Sequence, residues 1–192
     1  MLLNFKSLTL TNIVTICTLS LLLFSCSSGA QNNSAEWEVE FVPANTTAGT
    51  YAALNVYSTK TGEFYQMYAN EGQWKKNPNV PQPPVEFQGG DIRMEYMPAT
   101  LAQLPGLSIY SADTGQWKQY YLQKGEWIQN TNFPMPNVSL PKGDLRFDFV
   151  PGSPSTLAGL NVHCARTKQF EMFYLEDGEW KINPAFPTAK GI

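Results

Sequence analysis

The sequence predicts an all-β fold built from three tandem homologous antiparallel meanders. Three observations carry that expectation. One motif is written three times, ending in Gly72-Gln73-Trp74, Gly125-Glu126-Trp127 and Gly178-Glu179-Trp180, so the tryptophans stand 127 − 74 = 53 and 180 − 127 = 53 residues apart. The same step links Leu54, Leu107 and Leu160; Tyr68, Tyr121 and Tyr174; Asn77, Asn130 and Asn183; and Pro81, Pro134 and Pro187. A register held over so many positions marks a tandem duplication. Apolar and polar residues also alternate with period two, as in Ile92, Met94 and Tyr96 against Arg93 and Glu95. Finally, 13% of the chain is aromatic, and Thr, Val and Tyr are frequent, a composition that fits strands.

The units run over about residues 37–83, 84–136 and 137–190. Each opens with an alternating strand, predicted over Trp37–Val42, Ile92–Met97 and Leu145–Val150, and each stops at a proline, Pro43, Pro98 or Pro151. Proline lacks the N–H that a central ladder needs. The loop that follows is two residues longer in the first unit, a drift that surface loops tolerate. The second strand is predicted over Ala53–Ser58, Gly106–Ser111 and Gly159–Cys164.

A four-residue turn ending in Gly62 or Gly115 then leads into a third strand whose two faces both carry large side chains, so it should be covered on both. Lys168 replaces the glycine in the third unit, which implies either a strained left-handed lysine, costing on the order of 1 kcal/mol, or a different turn. A second tight turn delivers the repeated tryptophan. Between units, residues 85–91 and 138–144 each place Gly-Asp after a short apolar alternation, a pattern that predicts a hairpin.

The beginning of the chain follows other rules. After a short start with one positive charge, Lys6, residues 13–24 form an apolar run too short to span a ~30 Å hydrocarbon core. It suits a secretory signal over residues 1–25. Leu23-Phe24-Ser25-Cys26 resembles the lipobox of bacterial lipoproteins, which implies an acylated Cys26 as the first mature residue and a membrane anchor. Ser27 after that cysteine resembles sequences retained by the outer membrane, so a lipid-anchored place in the bacterial cell envelope is expected. Residues 26–36 then form a flexible tether of small and polar side chains. The sequons at Asn32, Asn45 and Asn137 are chance matches in such a protein.

Composition excludes some functions. Loss of Lys6 leaves 13 − 1 = 12 basic against 16 acidic side chains, a charge of −4 with no basic run, so nucleic acid is not a partner to expect. Cys17 leaves with the signal and Cys26 takes the lipid, leaving Cys164 alone, unable to form an internal bridge or a multi-thiolate metal site. No cofactor motif is present.

Candidate chemistry is sparse. His163 and Cys164 are adjacent in a strand, hence on opposite faces, and they fill the positions of Tyr57 and Tyr110 and of Ser58 and Ser111. Trp74, Trp127 and Trp180 read as core plugs rather than sugar platforms, as does Trp117 in the position of Phe64 and Phe170, whereas Trp37 lies outside the pattern. Glu40, Glu95 and Asp148 share one position, and Arg93 and Arg146 precede two of them by two residues, so two intrastrand ion pairs, a more exposed Glu40 and no metal are expected.

The strand-turn pattern of Leu107-Ser108-Ile109-Tyr110 and Asp113-Thr114-Gly115 resembles a propeller blade. Three blades fall short of the usual four to eight, which leaves an open propeller-like array and a trefoil-like pseudo-threefold closure. The expected function is a non-enzymatic binding or assembly module with an envelope protein or glycan as partner; the alternative is envelope glycan binding or hydrolysis with Glu95 or Asp148 as acid or base.

Overall fold

The structure, a computed structural model, describes residues 36–44, 49, 51–87, 90–101, 103–153 and 155–186. The signal, Cys26, most of the tether, and the sequons at Asn32 and Asn45 lie outside the described residues. Every regular element among those described is a strand, and the strands form three separate sheets. The first contains β1 (Trp37–Val42), β2 (Ala53–Ser58), β3 (Phe64–Asn70) and β4 (Gln73–Lys76) in that order. β5 (Ile92–Met97), β6 (Gly106–Ser111), β7 (Trp117–Gln123) and β8 (Glu126–Gln129) form the second. The third consists of β9 (Leu145–Val150), β10 (Gly159–Cys164), β11 (Gln169–Glu176) and β12 (Glu179–Ile182).

Among the described residues all pairings are antiparallel, and no ladder joins one sheet to another. The trefoil-like closure, which would require strands of all three units in one barrel, is therefore set aside. The array is open.

Register explains how the sheets stack. Leu107 and Ile109 on one face of the second sheet pack with Tyr57, Phe64 and Val80 of the first. Tyr110 and Trp117 on its other face pack with Leu145, Phe147, Phe149, Leu160 and Val162 of the third. One strand alternation thus serves two cores. Only the middle sheet is covered on both faces, so double coverage of the third strand holds for β7 but leaves Tyr65 and Met67 of β3 half-buried.

The turns keep the repeat's chemistry. Ser58 and Ser111 accept backbone N–H groups of Thr61 (3.1 Å) and Thr114 (3.2 Å) on Oγ, which is why small polar side chains hold those positions. Gly62 and Gly115 have φ of 72° and 74°, and a Cβ on Gly62 would lie 2.7 Å from Val85 of the following linker. Lys168 keeps the same turn, with φ of 57° and its N–H 2.8 Å from the Cys164 carbonyl, so the left-handed lysine is real.

The linkers are not hairpins. Residues 81–87 and 138–144 contain no strand; they run as irregular straps, with Leu140 buried in the second core and Val85 against the first. Side chains fasten them instead of ladders. Lys118 meets Glu86 at 2.7 Å, and in the next unit the buried Glu171 accepts the Ser139 N–H at 3.1 Å, the repeat having exchanged which side carries the acid.

Candidate functional site

The repeated acids sit on β1, β5 and β9, the edge strand of each sheet, and point towards the sheet that follows. Glu40 accepts the Asn55 amide at 3.0 Å and, across the interface, the Tyr96 backbone N–H at 3.3 Å. Glu95 accepts the Phe149 backbone N–H at 3.2 Å in the equivalent way. Among the described residues no sheet follows Asp148; it accepts the Asn161 amide at 3.2 Å and is exposed. Tyr96 and Phe149 lie on edge strands, so these carboxylates satisfy N–H groups that no ladder reaches.

The expected intrastrand ion pairs are not formed. Arg93 binds Glu38 of the preceding sheet and Asp91, 2.7 Å away, and Arg146 binds Asp144 at 3.2 Å. The carboxylates two residues on are turned instead to the neighbouring backbone. The exposed member of the set is Asp148 rather than Glu40, which is half-buried. Glu95 and Asp148 stand within hydrogen-bonding reach of each other. Burial, with the nearby charges of Asp148 and Glu40 added, pushes the Glu95 carboxyl up to about 7, against the opposing Phe149 N–H. Burial raises Glu40 as well. Among the described residues no cluster of three His, Cys, Asp or Glu has the geometry to hold a metal ion.

Behind Glu40 runs a polar relay that sequence reasoning missed. The Asn77 amide donates to Gln66 (2.8 Å), Gln66 to Asn55 (3.0 Å) and Asn55 to Glu40. In the second unit Ser108 replaces asparagine and is too short to pass the chain on. Ser108 Oγ and the side-chain oxygen Oε1 of Gln119 are left buried and unpartnered. Met172 interrupts the third copy. Asn55 between Leu54 and Val56, a polar residue inside an apolar strand, was the available signal.

Two equivalent clefts open at the sheet interfaces. The first, about 480 Å³, is lined by Val42, Gln66, Tyr68, Asn77 and Tyr96, and the second, about 510 Å³, by Met97, Gln119, Tyr121, Asn130 and Phe149. Each of these named residues has its counterpart in the other cleft.

The tryptophans are clasps more than plugs. Trp127 Nε1 donates to the Pro81 carbonyl of the preceding unit at 2.9 Å, and Trp180 to Pro134 at 2.7 Å; both rings are only partly buried. Trp74 has no preceding unit, no such partner among the described residues, and 47% of its surface exposed. Trp117 is buried, as expected. Trp37 is not outside the pattern: it fills the position of Ile92 and Leu145, because the longer first loop shifts the step to 92 − 37 = 55 there. His163 faces out from the third sheet while Cys164 is buried with the second core, so the two form no pair. Comparison with protein-family models, curated proteins and solved structures gave no match to this chain.

Proposed function

We propose that this is an outer-membrane lipoprotein, anchored through Cys26, that works by binding or assembly and not by catalysis. One observation carries the second half of that reading: Glu95, the more buried member of the candidate acid-base pair, is engaged in joining two sheets through the Phe149 backbone N–H of the following sheet. Asp148 accepts the Asn161 amide of its own sheet. The paired clefts, which set tyrosine beside glutamine and asparagine, favour an envelope glycan bound without hydrolysis over a small apolar ligand.

The test uses the full chain in its own cells, with a photo-crosslinking residue at Leu104 on the rim of the second cleft or at Lys142 far from it. An adduct specific to Leu104 supports the reading, and identical adducts from both positions would remove it. Reducing ends released from envelope glycan by the wild type, but not by Glu95→Gln, would establish the hydrolase instead. Loss of acylation in Cys26→Ala checks the anchor.

A further inference from the structure

Both ends of the array carry the features with which its sheets join each other. At the front, Val39 (62% exposed) and Phe41 (61%) occupy the positions of Met94 and Phe147 and of Tyr96 and Phe149, which pack on a preceding sheet. At the back, Val150 (46%) and Phe186 (47%) occupy positions whose first-unit members, Val42 and Val80, are buried against a following sheet. The polar contacts are split in the same way. Among the described residues Asp148 lacks the backbone N–H that Glu40 and Glu95 find, and Trp74 the carbonyl that Trp127 and Trp180 find.

We infer that two copies of this chain close into a six-bladed ring, the front face of each covering the back face of the other. The occupant is named by continuity: of the joint already made twice within the chain, the apolar side chains and the carboxylate-to-N–H bond are present in two halves at the ends, and Trp74 repeats the indole of the clasp. A second copy supplies each half with its complement. Asp148 takes the Phe41 N–H of the partner, which lies on an edge strand in the register of Tyr96 and Phe149. Lys168, standing where Gly115 meets Leu145, faces the Trp37 that fills the Leu145 position, a cation beside an indole. A head-to-tail contact closes when its rotation permits, and three blades twice over give a number inside the usual four to eight. The inference does not depend on the lipid anchor or on what the clefts bind.

The full chain, purified in detergent, is weighed by light scattering and native mass spectrometry at micromolar concentration. A single species of twice the chain mass is expected, reduced to one chain by Phe41→Glu and by Val150→Glu with folding unchanged by circular dichroism. Tyr96 and Val42 line one cleft, and Phe149 and Met97 the other, so Phe41 and Val150 should oppose each other. A Phe41→Cys chain mixed with a Val150→Cys chain should then form an interchain disulfide, and neither should do so alone. A single chain at every concentration overturns the inference, whatever segment then covers the front face. So does a disulfide from Phe41→Cys alone, which reports front-to-front pairing, or a mass that rises without limit, which reports an open filament.

Discussion

The first and second sheets are near copies, yet they live in different surroundings. Leu107 and Ile109 are fully buried, while Leu54 and Val56, in the same positions, are only half-buried. The polar interior differs in the opposite sense: the first sheet completes its relay from Asn77 to Glu40, whereas the second leaves Ser108 and Gln119 unpartnered. In a repeat array, burial belongs to the joint between units and not to the unit. A residue conserved in position through the duplication can be core in one copy and surface in another.

Cavity formation offers the largest break in that comparison. Leu107→Ala should destabilise by about 2–5 kcal/mol, while Leu54→Ala, partly exposed already, should lose clearly less, about 1–2 kcal/mol. Both are read by denaturant melts in the Phe41→Glu background, where the ends are free. Equal losses would mean that the first sheet is covered in solution.

Acidity gives the next effect. A carboxyl raised to about 7 in the folded chain binds its proton more tightly folded than unfolded. Its contribution is therefore complete below pH 4.5 and is lost as pH rises towards and through 7, on the order of 2 kcal/mol. Melts between pH 4.5 and 8 should show stability falling across that window, and Glu95→Gln should flatten most of the fall. Glu40, shifted the same way, accounts for the remainder.

Smaller still is the clasp. Trp127→Phe and Trp180→Phe keep the ring but lose the N–H donated to Pro81 or Pro134, and each should lose about 1 kcal/mol. Trp74→Phe should lose almost nothing while the ends are free. The smallest change is Arg146→Ala, whose surface pair with Asp144 is worth about 0–1 kcal/mol; a midpoint displaced by several degrees would show that Arg146 has a partner beyond its own sheet.

The spacing of 53 and the period-two alternation made the first two strands of every unit legible, and the third to within a residue in the first two units, because local backbone pairing is what those patterns encode. Contacts between units were not legible. Glu40 and Glu95 looked like partners for the arginine beside them, since one strand shows only neighbours at i ± 2, and the Tyr96 and Phe149 N–H groups come from another sheet. The linkers misled for a related reason: Val85 and Leu140 alternate as strand residues do, but they anchor straps rather than pair. Trp37 escaped notice because two inserted residues hid its register.

The confinement of every ladder to a single unit also fixes a timetable. Strands pair only with neighbours close in sequence, so loop closure is short and each meander can form quickly on its own. As the chain is delivered N-terminus first, a finished sheet stands with its back face bare, its carboxylate waiting for an N–H that has yet to arrive. Docking of the next sheet buries that face and exposes a new one, so the vulnerable surface moves along with the growing chain and is never wider than one sheet at the growing end.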